Sequence, residues 1–248
     1  MAHLRQPLLD MWVLEEIFRF GEYEPPEPVR EALAALGRSP RVLDLGGHVG
    51  LFGLFADQAF PGANITSFEP DPDNARLLRS CIEANGLGER WQLVEACAAA
   101  RDGSVEFISS HHLSRAGAGG QESLEAMHAG LSGAFHFLAG TPLTTGRRRT
   151  VDSRDVFPWL AQADLVKIDI EGAEWELLAD PRFAELSPQA LVLEYHPAYG
   201  PGNQAEGVLR DALEPAGYRL GEPRAGTDGG LLWAWKDRPQ ATAPGNPS

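Results

Sequence analysis

The amino-acid sequence predicts an α/β fold with a mostly parallel sheet, helices on both faces of that sheet, and an antiparallel last strand. From Arg41 onward, short apolar segments with strand composition alternate with segments of helical periodicity, as in parallel strands joined by crossover helices. The last two strand-like segments, YRL and GGLLWAWK, have no helix between them, so we expect them to pair antiparallel. With 248 residues and 43% apolar composition, the chain can fill the core of one large domain.

The first 40 residues predict a helical extension ahead of this domain. Apolar residues recur there at helical spacing, at Leu9, Trp12, Val13, Ile17 and Phe20. Prolines at positions 25, 26 and 28 end that helix, and a second helix runs to Leu36 and Gly37. We expect residues 1–40 either to cover the core or to pair two subunits as a homodimer, since either arrangement shelters the aromatic side chains.

The elements of the main domain, residues 41–236, follow in order. Strands are expected in RVLDL, NITSFE, WQLVE, SVEFI, DLVKIDI and ALVLEY, with helices over residues 50–59, 72–85, 174–179 and 203–216. The end of the chain, residues 237–248, is polar and rich in proline, which predicts a disordered tail.

A glycine-rich insertion over residues 110–146 interrupts the alternation, and it is too long for an ordinary loop. Within it, Leu124, Met127, His128 and Leu131 fall on one helical face, which predicts a short amphipathic helix. We interpret the insertion as a lid over a ligand site. The alternative is an insertion that makes no contact with the reaction.

The composition argues against several classes of partner. The chain has 21 Lys and Arg against 35 Asp and Glu, and its net charge of −14 would repel a nucleic-acid backbone. No segment approaches about 18 consecutive apolar residues, and the first residues lack the pattern of a signal peptide. We therefore expect no membrane partner and a cytoplasmic location. Cys81 and Cys97 lack disulfide or metal-site spacing and are expected to be reduced and structural.

A glycine-containing turn after the first strand has the features of a ligand site. In RVLDLGGHVGLFGLFA, Gly46, Gly47 and Gly50 lie between a strand and a helix, where the backbone can approach a ligand and the helix start offers N–H groups to an anion. Glu69 ends the second strand, where a carboxylate can accept hydrogen bonds from ribose hydroxyls. Together they predict a nucleoside ligand with a negatively charged end.

Two features distinguish between nucleoside cofactors. A dinucleotide fingerprint on these glycines needs a glycine at position 45, which is Leu45, so NAD is disfavoured. Asp44 is badly placed for a pyrophosphate but suits an ammonium group, which favours the amino-acid end of S-adenosylmethionine (SAM); its structural alternative is to cap the turn. After the third strand, Ala96 and Cys97 are small enough for an adenine to lie against the backbone, although packing explains them equally well.

A second polar group is expected at the same edge of the sheet. Asp169 and Glu171 follow the strand DLVKIDI, and ligands of open α/β sheets bind outside the carboxyl ends of strands. Asp169 is placed to orient or deprotonate a nucleophile, while Lys167 on the same face can hold it ionised. Glu171 belongs either to this site or to the cap of the following helix. The next strand brings Glu194 and His196 to this edge, where His196 is either a substrate contact or structural.

Five segments between Arg41 and Pro197 carry a family resemblance: VLDLGGHVGLF, SFEPDPDNARLLRSCIEANGL, TVDSRD, VKIDIEGAEWELL and LVLEYHP. In order and spacing they resemble the FkbM family of SAM-dependent methyltransferases, and FEPDP followed by KIDIEGAE is the most specific combination. The chain departs from the family in the insertion and at His48, where a small polar residue such as Asn is usual.

The resemblance implies a Rossmann-like class I methyltransferase fold with a seven-stranded sheet, and O-methylation of a hydroxyl on a natural product, sugar or lipid-linked glycan. It places the methionine part of SAM, or of the product S-adenosylhomocysteine (SAH), at Asp44, Gly46, Gly47, His48 and Gly50. It places the ribose at Glu69 and the adenine at Ala96 and Cys97. The methyl-transfer pocket it implies is lined by Asp169 and Glu171, and the strand end with Glu194 and His196 supplies further candidates.

Alternatives to this interpretation remain. The methyl group can go to nitrogen or carbon of a small molecule, or the chain can be a catalytically silent SAM-binding module, which the presence of Asp169 argues against. A nicotinamide-dependent oxidoreductase is weakened by Leu45. Asp169 and then His196 are the expected proton acceptors. Carboxylates at one edge also suit Mg²⁺, which acidifies a bound hydroxyl. No spacing decides this; we expect activity without added metal.

Overall fold

The computed structural model describes residues 1–2, 4, 9–109, 114–116, 147–225 and 229–237. Most of the insertion lies outside these residues, so the expected lid and its amphipathic helix stay predictions. Residues 238–248 of the expected tail also lie outside them. Among the described residues, no helix combines the length and the apolar composition needed to cross a membrane.

The main sheet follows the predicted α/β architecture. Its strand order is β10-β12-β9-β8-β1-β2-β3, with a short β11 added beside β12. Strands β1, β2, β3, β8 and β9 run parallel, whereas β12 is antiparallel to both β9 and β10. The bounds are β1 Arg41–Leu45, β2 Asn64–Phe68, β3 Trp91–Val94, β8 Leu165–Ile168, β9 Ala190–Tyr195, β10 Arg219–Leu220, β11 Arg224–Ala225 and β12 Gly230–Trp235. The mostly parallel sheet with an antiparallel last strand is therefore confirmed.

The described helices cover both faces of this sheet. They are α1 Leu9–Phe18, α2 Glu27–Ala34, α3 Leu51–Ala59, α4 Pro72–Ala84, α5 Phe157–Leu160, α6 Glu174–Ala179 and α7 Ala205–Leu213. One core packs side chains of α1 to α4 against β1 residue Val42, and the other packs α5 to α7 against Leu43 and Leu45. Neighbouring residues of β1 enter different cores because successive side chains of a strand point to opposite faces.

The SVEFI segment differs from the expectation that it joins the parallel sheet. It lies in β5 (Gly103–Ser109), which pairs antiparallel with β7 (Arg147–Asp155) and with β6 (Ser114–Ala116). With β4 (Cys97–Ala99), these strands form a separate four-stranded sheet in the order β4-β7-β5-β6. In β5 Phe107 is buried while its neighbour Glu106 is exposed. A half-exposed strand of this kind suits an antiparallel sheet better than a parallel one, which is buried on both faces.

The helical extension packs against the main domain. Its side chains Ile17, Tyr23, Val29 and Leu33 are buried in the core that contains α3 and α4. Covering the core is therefore one role of this segment. Trp12 and Phe20 stay 54% and 61% exposed, and pairing of two subunits through them remains a prediction.

Candidate active site

The polar residues selected from the sequence meet at one edge of the sheet, where β1, β2, β8 and β9 end. A loop of residues 46–50, here called the glycine loop, joins β1 to α3. Asp169 to Glu171 follow β8, and His196 follows β9. The two groups touch each other, because Lys167 Nζ lies 2.7 Å from the carbonyl oxygen of Gly46 and 3.0 Å from Asp169 Oδ2.

The glycines of the loop are required by the protein's own packing. Gly46 has a φ of +91°, and a Cβ atom there would lie 1.8 Å from the carbonyl oxygen of Asp169. A Cβ on Gly47 would lie within 3 Å of both Leu78 and Ser67. Gly50 has a φ of +93° at the start of α3, a conformation that favours glycine. These residues therefore fit the loop whether or not a ligand approaches it.

The N–H groups of the glycine loop are largely bonded within the chain. Those of Gly46 and Gly47 donate to the carbonyl oxygen of Phe68, at 3.1 and 2.8 Å. The N–H of His48 donates to Glu69 Oε2 at 2.7 Å, and His48 adopts a φ of +47°. The loop is thus held against the end of β2.

Glu69 is buried and accepts several hydrogen bonds. Besides His48, its carboxylate accepts from the Asp71 N–H at 2.8 Å and from Asn74 Nδ2 at 3.3 Å. Burial raises the pKa of Glu69 to about 8, against the lowering effect of these donors. Its assignment to the ribose stays a prediction.

Asp44 is fully buried beneath the glycine loop. Its Oδ2 accepts a hydrogen bond of 2.7 Å from Ser67 Oγ, which in turn accepts one of 3.0 Å from Trp91 Nε1. Its Oδ1 lies 3.4 Å from Lys167 Nζ and makes no hydrogen bond to the described residues. Burial raises the pKa of Asp44, although Lys167 and Ser67 oppose that shift. The structure therefore places Asp44 beside an internal cation, and its contact with a cofactor ammonium group stays a prediction.

Lys167 is buried and forms ion pairs with both Asp44 and Asp169. Burial alone would lower its pKa, but the negative charges of Asp169 and Asp44 outweigh that effect and raise it. The ion pair between Lys167 and Asp169 expected from strand alternation is confirmed at 3.0 Å. One ammonium group is thus shared by two carboxylates.

Glu171 occupies a backbone conformation that is uncommon for its residue type. Its φ is +55°, in the left-handed region, and Gly172 follows with a φ of +100°. Two residues separate Glu171 from the start of α6, and the residue before that helix, Ala173, makes no side-chain cap bond. Glu171 therefore does not cap the helix. Its Oε2 lies 3.6 Å from His196 Nε2, and burial raises the pKa of Glu171 to about 7.

His196 is held by a carboxylate that we did not select from the sequence. Glu174, the first residue of α6, is fully buried, and its Oε1 lies 3.2 Å from His196 Nδ1 and accepts the His196 N–H at 2.9 Å. The other oxygen accepts from the Gly172 N–H at 2.7 Å. Burial lowers the pKa of His196, but Glu174 and then Glu171 outweigh it and raise the pKa to about 10.

Glu194 contacts the helical extension. Tyr23 OH donates to Glu194 Oε2 at 2.9 Å, across 171 positions of sequence. Burial, followed by the charge of Asp169, raises the pKa of Glu194 to about 8. Burial together with nearby carboxylates also raises the pKa of Glu16 to about 7 and that of Glu22. The extension therefore adds acidic groups to the same edge of the sheet.

Ala96 and Cys97 lie after β3, and both are buried. Burial, with a smaller effect from Glu69, raises the pKa of the Cys97 thiol to about 12. Their assignment to the adenine stays a prediction.

A comparison with protein-family models decides the family. The model of the methyltransferase FkbM domain matches residues 44–220. The chain belongs to this family. FkbM proteins are SAM-dependent methyltransferases, so a SAM-dependent methyltransferase family is established for the chain.

Solved structures show the same fold. The FkbM methyltransferase of Methylobacillus flagellatus KT is 16% identical, with a TM-score of 0.52 over 86% of this chain and 49% of that one. The bifunctional kinase-methyltransferase WbdD is 16% identical, with a TM-score of 0.51 over 93% of this chain and 42% of that one. Among curated proteins, the type II methyltransferase M.XamI of Xanthomonas campestris pv. amaranthicola is 37% identical over 76 residues, 29% of this chain and 14% of that protein. The chain thus spans less than half of each of these relatives.

Two residues of this FkbM protein were missed because their partners are distant in sequence. Glu174 lies in the quoted segment KIDIEGAEWELL, but nothing in that segment reveals that it receives His196. Tyr23 lies in the extension, and its pairing with Glu194 follows from the packing of the extension rather than from any motif. His48 likewise meets Asp10 of α1, with Nε2 3.9 Å from Oδ1.

Proposed function

We propose that this FkbM methyltransferase transfers the methyl group of SAM to a hydroxyl oxygen of a small-molecule acceptor. One observation carries the proposal: the glycine loop and the acidic strand end after β8 are in direct contact, through Lys167 and through the close approach of Gly46 to Asp169. A cofactor on the loop would then present its methyl group beside groups that can accept a proton.

The cofactor assignment is supported by the chemistry of the residues beside the loop. Glu69 ends β2 at the loop, where the chain can offer a carboxylate to ribose hydroxyls. The Oδ1 atom of Asp44 is buried and makes no hydrogen bond to the described residues, although Lys167 Nζ lies 3.4 Å away. Such atoms are rare in folded proteins, and the ammonium group of SAM is a donor that would satisfy it.

The reaction needs alignment and removal of a proton. Bound SAM would supply an electrophilic methyl group. The acceptor oxygen would form a bond to the methyl carbon while the carbon–sulfur bond breaks, and the electron pair of that broken bond would stay on sulfur to give SAH. The hydroxyl proton goes to a carboxylate of Asp169 or Glu171. Holding the atoms in line can supply several kcal/mol, and proton transfer to a positioned group contributes about 10²–10⁴-fold.

Cofactor binding is the first test. SAH and, separately, NAD are titrated calorimetrically into the full chain, its Glu69→Gln variant, and a control variant, Glu95→Gln, at an exposed carboxylate paired with Arg79. We expect SAH to bind and NAD not to bind. Loss of a charged hydrogen bond of about 1.5–3 kcal/mol should weaken SAH binding by about 10–150-fold in Glu69→Gln and leave it unchanged in the control. Binding of NAD, or no binding of SAH, would contradict the proposal.

The acceptor atom is the second test. SAM labelled with ¹³C in the methyl group is incubated with the protein and a set of small molecules that carry hydroxyl, amino or activated carbon positions. The carbon shift of the product methyl group distinguishes the three bonds. We expect an O-methyl product, and an N-methyl or C-methyl product would replace the proposal with its nearest alternative.

A further inference from the structure

We propose that Asp169, Glu171 and His196, here called the metal cluster, bind one divalent cation of the Mn²⁺ type. The role of that cation in methyl transfer rests on the proposed function, whereas its binding does not. Each of the three residues offers one ligand atom, and these atoms all lie within 4.8 Å of one another. Ligand atoms around a single ion with bonds of roughly 2.2 Å are about 3–4.5 Å apart, so the side chains need only small rotations to share one.

The imidazole of His196 is oriented as a ligand. Its Nδ1 faces Glu174, which is buried and also holds the His196 backbone N–H. Its Nε2 faces the cluster, where the contact of 3.6 Å to Glu171 is longer than a hydrogen bond. In metal sites, the histidine nitrogen that does not bind the metal commonly donates to a carboxylate, which fixes the ring. Glu174 occupies that second position here.

The charge of the surrounding groups also favours a cation. Lys167 is divided between Asp44 and Asp169, and it occupies Oδ2 of Asp169. Glu171 has His196 as its ion-pair partner, and Glu174 contacts the other nitrogen of the same imidazole. The recess therefore holds more carboxylates than cations, and an added divalent ion would reduce the excess. Lys167 opposes this ion, but its contact restricts Asp169 to one available oxygen.

The partial exposure of two of the three ligand side chains leaves one side of the site open to a substrate. The side chains of Asp169 and Glu171 are 24% and 27% exposed, whereas the side chain of His196 is buried, with an exposed fraction of 9%. Three protein ligands on one side leave positions open on the other. An acceptor hydroxyl bound there would lose its proton more easily, with the proton passing to solvent or a carboxylate. This inference revises our sequence-based expectation of metal-free activity.

The chemistry of the ligands limits the choice of ion. Carboxylates suit Mg²⁺ and Mn²⁺, whereas imidazole suits transition metals, so Mn²⁺ satisfies both types of ligand.

The experiment measures Mn²⁺ binding to the full chain without SAM or acceptor, from the paramagnetic resonance signal of free Mn²⁺. We expect one saturable site per chain below about 1 mM, and Glu171→Gln, Asp169→Asn and Glu174→Gln should each weaken it by about 10–100-fold. The control is Glu176→Gln, a 58% exposed carboxylate on α6 that pairs with Arg101, and it should bind like the parent. Far-ultraviolet circular dichroism establishes that each variant is folded, and the partly exposed Glu171→Gln is decisive where Glu174→Gln unfolds.

Absence of saturable Mn²⁺ binding, or unchanged binding in Glu171→Gln, would overturn the inference. Its failure is distinguishable from failure of the proposed function. A protein that binds SAH and makes an O-methyl product without Mn²⁺ binding retains the function and loses the metal site. A protein that binds Mn²⁺ at these residues but not SAH retains the metal site and loses the function.

Discussion

The glycine loop and the metal cluster lie side by side at the sheet edge, yet their polar groups are organised differently. In the loop, N–H groups of Gly46, Gly47 and His48 have short hydrogen bonds to Phe68 and Glu69. In the cluster, the contact between Glu171 and His196 is 3.6 Å long, and Glu171 has a backbone conformation uncommon for its residue type. The loop is therefore organised for rigidity, whereas the cluster retains groups with unused binding capacity.

This difference indicates where stability and activity should separate. Substitutions in the loop should act mainly on folding, because the loop is constrained by its own packing. Substitutions of Asp169 and Glu171 in the cluster should act mainly on chemistry, because these two side chains are partly exposed.

Glu171→Gln should lower kcat by about 10²–10⁴-fold, because it removes a carboxylate from the reacting edge. The free energy of unfolding should change by less than about 0.5 kcal/mol, as expected for a partly exposed side chain. Turnover with the identified acceptor and urea unfolding measure the two quantities. Full activity in Glu171→Gln would show that the carboxylate takes no part in the chemistry.

Gly46→Ala should destabilise the protein by about 3 kcal/mol or more, since its Cβ would meet the Asp169 carbonyl oxygen at 1.8 Å. Gly37→Ala is the matched control, because Gly37 also has a positive φ, of +66°, but nothing within 4 Å of the added atom. It should cost only about 1 kcal/mol from backbone strain. Equal urea midpoints for the two variants would refute the packing explanation of the loop.

Tyr23→Phe should cost about 1–2 kcal/mol of stability, because Glu194 loses its donor in a buried place. Tyr218→Phe provides a control. Tyr218 is also buried, and its hydroxyl donates a hydrogen bond of 2.9 Å to the Pro188 carbonyl oxygen, away from the site. Both variants should unfold at a lower denaturant concentration. Only Tyr23→Phe should change the Michaelis constant for the acceptor, because its partner Glu194 lies at the edge of the sheet that carries the site. An unchanged constant would place Tyr23 outside the acceptor site.

Glu171→Gly should raise stability by about 0.5–1 kcal/mol while it abolishes turnover, because glycine adopts a φ of +55° without strain. Thermal unfolding monitored by calorimetry gives the shift. A fall in stability would indicate that the contact of Glu171 with His196 outweighs the backbone strain.

The mostly parallel sheet, its antiparallel last strand and the position of the site edge could be predicted because they depend on local patterns. Apolar periodicity and the missing helix before the last strand indicated the sheet, and the ends of β8 and β9 indicated Asp169 and His196. The ion pair from Lys167 to Asp169 followed from the alternation of a single strand. These inferences need no knowledge of distant contacts.

The remaining features depend on contacts between distant parts of the chain. SVEFI has the composition of a strand, but composition does not show which sheet a strand joins, and its partner β7 begins beyond the insertion. Glu174 resembles an ordinary residue of an acidic first helical turn, and only packing against β9 brings His196 to it. The glycines of the loop were attributed to ligand approach, while Gly46 and Gly47 are already required by contacts within the chain.

The bond between Tyr23 and Glu194 has a consequence for the order of folding. Tyr23 is synthesised early, but its partner follows 171 positions later, so this hydrogen bond cannot form until β9 exists. Contacts of such long sequence separation close large loops and tend to form late. Completion of this edge should therefore be among the last events of folding, whereas Phe18 of α1 can pack against Phe55 as soon as α3 has formed.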